Sequence, residues 1–157
     1  MSSRLHIGVV GAGTMGRGIV QLFAQAGHPV SVFDAWEGAV AKGIASVHAM
    51  IDKGIEKKSF SAEQGAAIKA SIKACAALEE LSGCDVVIEA IVEEIGAKQA
   101  LFTQLEAIVA DTAILASNTS SLVVAEIAAK CQHPQRVAGL HFFNPVPLMK
   151  VVEIIQA

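Results

Sequence analysis

Charge is scarce in this chain: charged residues occupy 17% of its 157 positions, and the formal net charge is −3. No basic field is available to attract nucleic acid. Low charge beside 53% hydrophobic residues also excludes intrinsic disorder, which needs little apolar content and a large net charge. Much of the hydrophobicity is alanine. The mean hydropathy of +0.52 therefore suits an Ala-rich α/β domain, and equally suits a surface covered by a partner or a further domain. No apolar run approaches the roughly 20 residues needed to span a bilayer, so no membrane partner is expected. Cysteine is limited to Cys75, Cys84 and Cys131, an odd number without CxxC spacing. That pattern fits buried free thiols in a reducing compartment better than disulfides or a zinc site, and no metal is expected. The segment from Met1 to His6 runs straight into a strand-like stretch with no signal-peptide pattern. A cytoplasmic address follows, and the length suits one domain.

What is present alternates between two kinds of segment. Residues 5–10 (LHIGVV) form a short apolar run ending in glycines, which suits a buried strand. Residues 14–26 follow with Ile19, Leu22 and Phe23 at helical spacing, closed by Gly27. Residues 29–34 (PVSVFD) read as a second strand. From Trp36 to about Ile72 the composition is helical, broken near Gly54 and near Ser59 to Ser61, and predicts two helices that stand away from the sheet. Strands are expected at 84–91 (CDVVIEAI), 113–117, 136–143 and 149–155, with helices at 95–110 and 122–130 between them. Such alternation predicts an α/β fold: a Rossmann-type, doubly wound, mostly parallel sheet with a helical excursion after the second strand.

Gly11, Ala12, Gly13, Thr14, Met15 and Gly16 make a G-x-G-x-x-G pattern at a strand-to-helix junction, the context that gives this pattern its meaning. Gly11 permits the tight turn, Gly13 lets a pyrophosphate approach the backbone, and Gly16 lets the helix lie close to the strand. Free N–H groups and the helix dipole then meet the phosphates. Asp34 ends the second strand 18 positions after Gly16 (34 − 16), near the interval of about 20 expected for the acidic residue that holds the adenosine ribose. A 2′-phosphate would meet like charge there, and Ala35 and Trp36 offer no basic group. The expected cofactor is NAD rather than NADP.

Ligands of open α/β sheets bind at the carboxyl ends of the strands. The polar residues expected at that edge are Glu93 and Lys98, then Asn118, Thr119 and Ser120, and then His141 and Asn144. Of the five histidines, His6, His28, His48 and His133 suit surface or packing roles. His141 ends a strand on the ligand side, where an imidazole can take up and return a proton at neutral pH, although a satisfied core histidine is the plainer alternative. Glu153 lies in an apolar strand and needs a partner if it is buried. It orients His141 if their strands are neighbours, and is a solvent-facing edge residue otherwise. Ser120 can serve a substrate oxygen or belong to a cap of the following helix.

These stretches resemble the 3-hydroxyacyl-CoA dehydrogenase family. The likeness rests on the glycine loop, Asp34, the run from Glu89 to Lys98 and Ser117-Asn118-Thr119-Ser120-Ser121. It rests above all on residues 140–147 (LHFFNPVP) followed by Val151-Val152-Glu153, and it covers nearly the whole chain. The resemblance implies reversible NAD-dependent oxidation of a 3-hydroxyacyl-CoA to the 3-oxoacyl-CoA. His141 would be the catalytic base, Glu153 its partner and Ser120 a ligand of the reacting oxygen. Gly11, Gly13, Thr14, Met15, Gly16, Asp34, Glu93, Lys98, Ser120 and Asn144 would contact the cofactor. Lys53 and Lys57 would meet the CoA phosphates, where a merely solvated basic face is the alternative. The resemblance also implies a second, helical domain that covers the acyl-CoA and forms most of a dimer interface. The 157 residues read as the NAD-binding domain alone, which leaves a homo-oligomer or a separate C-terminal domain as the expected partner.

Two further readings stay open at this stage. One is a NAD-binding module without efficient turnover. The other is a dehydrogenase of small 3-hydroxy acids, indifferent to CoA, which gives no reason for His141 and the HFFNP run.

Overall fold

The computed structural model describes residues 3–157; Met1 and Ser2, the first residues of the stretch read as lacking a signal peptide, lie outside them. Seven strands form one sheet in the order β3-β2-β1-β4-β5-β6-β7. They are β1 (Ile7–Val10), β2 (Val30–Phe33), β3 (Ile72–Ala74), β4 (Val86–Glu89), β5 (Ile114–Ser117), β6 (Val137–Phe142) and β7 (Val152–Gln156). All neighbours are parallel except β6 and β7. The strand order reverses between β1 and β4, the switch point at which a doubly wound sheet opens a crevice.

Five helices cover the sheet: α1 (Thr14–Gln25), α2 (Ala39–Glu56), α3 (Ala62–Ala70), α4 (Ile95–Ile108) and α5 (Val124–Ala128). Central parallel strands are buried on both faces and so read as continuous apolar runs, as β1 does with all four residues buried. Two cores result. One joins Ile19 and Val20 of α1 and Val47 and Ile51 of α2 to Val9 and Val32 of the sheet. The other joins Phe102 and Leu105 of α4 and Ile127 of α5 to Val10, Val87 and Leu115.

Several sequence expectations need correction. Of the helices after β2, α2 does not stand away from the sheet, because Val47 and Ile51 are at most 2% exposed and pack into the core of α1, while α3 buries Gly65 against Ile51 and Ile55 of α2. Gly54 does not break α2; the Phe60 ring occupies the space its missing Cβ leaves, 2.4 Å from where that atom would lie. The break comes at Lys57 to Phe60, where Lys58 takes a φ of 60° and Ser61 starts α3 with a capping box through Gln64. Ile72 opens strand β3, not the end of a helix. The expected helix over 122–130 shrinks to α5, and its N-cap is Val123, without a side-chain cap. Thr119 Oγ1 instead accepts from the N–H groups of Ser121 and Leu122, turning the chain before the helix. Cys75 and Cys84 are buried, whereas Cys131 is only half-buried. Among the described residues, no helix is long and apolar enough to cross a membrane.

Candidate dinucleotide and proton-transfer site

The glycine loop joins β1 to α1 with Gly11 at φ 104°, a backbone region that favours glycine. A Cβ on Gly11 would stand 2.6 Å from the Ala90 carbonyl oxygen, and one on Gly16 would collide with the Gly11 carbonyl. Gly13 differs: nothing lies within 4 Å of where its Cβ would be. The open space sits at the start of α1, whose N-cap Gly13 supplies no side-chain acceptor. Unsatisfied first-turn amides facing free space are what a pyrophosphate requires, so the residues present fit the phosphates of a dinucleotide.

Asp34, just past β2, braces this loop. Its Oδ2 accepts from Ala12 N at 2.8 Å and its Oδ1 from Trp36 N at 2.9 Å. Each oxygen keeps a second lone pair for a ribose hydroxyl. Gly11, Gly13, Asp34 and the exposed Trp36 line a cavity of about 550 Å³. A second cavity of about 350 Å³ adjoins it through Ala90 and Ile91 and is lined by Met15, Glu93, Lys98, Ser120, His141 and Asn144, among others. The crevice thus runs along the carboxyl edge from β2 to β6, across the switch point.

Beneath its floor lies a ring of polar side chains. Glu89, the last residue of β4, is fully buried. Both its oxygens accept from Lys98 Nζ, at 2.8 and 3.0 Å, and it also accepts from Ser117 Oγ and from Ile91 N. The Lys98 ammonium, 2% exposed, meets Glu93 Oε1 at 3.0 Å as well. Glu93 in turn accepts from Thr119 Oγ1 and Ser120 N, and Thr119 N donates to Ser117 Oγ. Burial pushes the Glu93 carboxyl up, but the donors Thr119, Lys98 and Ser120 N, with the Lys98 charge, together hold it below the usual carboxylate value. Lys98 is therefore already committed to two carboxylates, and of the ring's charged members Glu93 is the most exposed.

At the far end, His141 of β6 and Glu153 of β7 face each other in the antiparallel ladder. His141 Nδ1 lies 3.3 Å from Glu153 Oε2. Glu153 is 57% exposed, so the apolar surround expected for it does not form; it is an edge residue and a histidine partner at once. Asn118 Oδ1 accepts from Phe142 N at 2.8 Å, tying the loop after β5 to the end of β6.

Not every candidate converges here. Thr14 and Lys53 line a third cavity of about 470 Å³ with Arg17, which touches the second through Asn144. Lys57, the C-cap of α2, is exposed and lines none of these cavities. His6 bonds to Ser31 and His28 to the Leu5 backbone, packing roles as expected. Sequence reasoning gives no role to Glu89 or Ser117, and places Asn118 at the edge without its bond to Phe142 N. Glu89 had left a signal, a charge inside the apolar run VVIEAI that burial obliges to find a partner. Among the described residues, no group of three or more His, Cys, Asp or Glu is placed to hold a metal ion.

The family model described as 3-hydroxyacyl-CoA dehydrogenase, NAD binding domain, matches residues 6–157. The 3-hydroxybutyryl-CoA dehydrogenase of Clostridioides difficile is 40% identical over 151 residues, which cover 96% of this chain and 54% of that protein. The mitochondrial hydroxyacyl-coenzyme A dehydrogenase of Rattus norvegicus is 40% identical over 158 residues, covering 96% and 50%. The crystal structure of (S)-3-hydroxybutyryl-CoA dehydrogenase from Ralstonia eutropha superposes with a TM-score of 0.94 at 40% identity, covering 99% of this chain and 55% of that one. The chain spans about half the length of these relatives. Crevice, glycine loop and family match agree, and the chain belongs to the 3-hydroxyacyl-CoA dehydrogenase family, as its NAD-binding domain.

Proposed function

We propose that this chain is the NAD-binding part of an enzyme that reversibly oxidises a 3-hydroxyacyl-CoA to the 3-oxoacyl-CoA. One observation carries the reading: the imidazole backed by Glu153 opens on the same cavity as Ser120 and Asn144, at the end of a crevice that begins at the glycine loop and Asp34. The dinucleotide, when bound, supplies the acceptor and donor of the hydride exchanged at substrate C3.

The chain's own residues do the rest. His141 takes the hydroxyl proton in oxidation and returns it in reduction. With Nδ1–H directed to Glu153, the other ring nitrogen is the basic one, and the carboxylate stabilises the imidazolium that forms. Ser120, on the loop fixed by the Glu93 ring, holds the reacting oxygen. Gly11, Gly13, Thr14, Met15, Gly16, Asp34, Glu93 and Asn144 bind the dinucleotide, with Lys98 acting from beneath Glu93. Lys53, beside Arg17, meets a CoA phosphate, and Lys57 extends that basic face.

Partner and address follow from the same reading. Leu148, Met149, Val151 and Ile154 leave apolar side chains in solvent, with Leu148 74% and Ile154 78% exposed. That surface suits the second, helical domain of the family, joined to the chain or separate, which would complete the acyl-CoA site. The free cysteines suit the cytoplasm.

The test follows NADH loss with acetoacetyl-CoA, comparing the wild type with His141→Ala. Turnover that disappears in the variant is expected. Equal rates above the no-enzyme control remove His141 from the mechanism. No rate in either favours the binding-module reading, in which the exposed apolar surface marks what turnover still needs.

A further inference from the structure

The formal charges around the His141 cavity do not cancel. Glu93 and Lys98 in its lining offset one another. Behind Lys98 lies Glu89, and behind His141 lies Glu153, and among the described residues neither faces a further cation. Four hydrogen bonds reach the Glu89 oxygens, two from Lys98 and one each from Ser117 and Ile91, and the Lys98 ammonium is its ion-pair partner. With His141 neutral, two negative charges are in excess. The cations of the neighbouring lining, Arg17 and Lys53, open on the cavity beside Thr14 instead. Low-dielectric walls lengthen the reach of such charges.

The two oxidation states of a nicotinamide ring differ by one unit: the oxidised ring is a cation and the reduced ring is neutral. We infer that Glu89 and Glu93, pinned around Lys98, set the oxidation-state preference of this site by favouring the cationic ring over the neutral one. The inference rests on the reading above that the nicotinamide end of NAD enters the His141 cavity. Glu89 acts from behind the wall and is a positioning and electrostatic residue. It holds Lys98, and its charge exceeds what Lys98 can neutralise once Glu93 shares the same ammonium. Removing either carboxylate leaves one ammonium facing one carboxylate and takes away the local excess.

The experiment titrates NAD+ and NADH separately into the wild type, Glu89→Gln, Glu93→Gln and the control Glu63→Gln, an exposed carboxylate of α3 outside these linings. Trp36, exposed in the lining beside Asp34, reports binding by fluorescence. The ratio Kd(NAD+)/Kd(NADH) is expected to rise about ten- to twentyfold in Glu89→Gln and in Glu93→Gln, the size of one unit charge acting over roughly a nanometre at an effective dielectric near 20. The control ratio stays at the wild-type value. A purely structural role weakens both forms equally, so a ratio within twofold of wild type in both variants overturns the inference while leaving NAD binding intact. Wild-type protein that binds neither form overturns the NAD reading itself. Should Glu89→Gln fail to fold because Lys98 loses a buried partner, the half-exposed Glu93→Gln decides alone.

Discussion

Gly43 on α2 lies against Ala12 of the glycine loop, so close that a Cβ at position 43 would stand 2.9 Å from the Ala12 carbonyl oxygen and 3.1 Å from its Cβ. A helix that supplies no residue to the glycine loop thereby buttresses the loop proposed to receive the phosphates. Gly43→Ala adds a methyl group that backbone, not a flexible side chain, has to yield to. Overpacking of this kind costs about 1–3 kcal/mol, and the better helix propensity of alanine returns up to about 1 kcal/mol. The fold is expected to survive with its melting temperature lowered by a few degrees, while the affinity for NADH falls several-fold. Fluorescence titration through Trp36 and a thermal melt check both parts. Unchanged affinity with a lowered melting temperature would show that the loop does not depend on α2.

Asp34 has a double task, which separates two effects of its removal. It braces Ala12 N and Trp36 N and presents a negative charge where the proposed cofactor pose puts the adenosine ribose. The wild type is expected to prefer NADH to NADPH at least tenfold, because a 2′-phosphate would meet that charge. In Asp34→Ala both affinities fall as the loop loosens, but NADH loses more and the preference narrows. Titrations of the two cofactors against both proteins measure it. Equal wild-type affinities remove Asp34 from cofactor choice.

The register of β6 with β7 makes a third prediction. His141 and Glu153 are opposite residues of the ladder, and in the proposed mechanism the imidazole, on gaining a proton, is stabilised by the neighbouring carboxylate. Glu153→Gln keeps the shape and removes the charge. In enzyme that turns over acetoacetyl-CoA, kcat is expected to fall tenfold or more with KM for NADH almost unchanged. The double variant with His141→Ala should be no slower than His141→Ala alone, since residues acting as a unit are not additive. A double variant slower by the full Glu153 factor would mean that Glu153 acts on something other than His141.

How much of this was legible in the chain itself differs by element. The run from β1 through the glycine loop to α1 was plain, because the tight turn and the close approaches leave glycines at fixed spacing. The parallel core strands were plain for the opposite reason, as continuous aliphatic runs. Strand β3 was not: it has three residues, none fully buried, with Lys73 in the middle, and edge pairing alone makes it a strand. Gly54 misled because propensity counts a helical glycine as a breaker, whereas the Phe60 ring fills its place. Most of the candidate site was named by residue, since strand ends on one sheet edge converge by topology. Its connections were only partly visible. The facing of Glu153 and His141 was open to the sequence only on the condition that their strands pair, as they do, whereas nothing in the sequence directs Lys98 of α4 inward to Glu89.

The cysteines give a final prediction, on stability against pH. Burial pushes the Cys84 thiol up to about 12, helped by the neighbouring Cys75 and Asp85 and opposed by Lys73, from an ordinary value of 9.0. Burial likewise raises Cys75, with Glu80 adding to it. The folded protein therefore keeps protons that the unfolded chain gives up. Below pH 9 the two states bind these protons alike and stability is unaffected. Above it the unfolded state ionises first and gains free energy, so stability falls as pH rises, until the folded thiol itself ionises near 12. Chemical denaturation at pH 7.5, 9 and 10.5 is expected to show the wild type losing stability over this range, and Cys84→Ala losing less of it. The variant starts lower, because it leaves a small cavity beside Gly8 and Val87, so the slope and not the starting value is the measure. Parallel slopes for the two proteins would show that Cys84 ionises as freely folded as unfolded, and that its thiol is not sealed in the core.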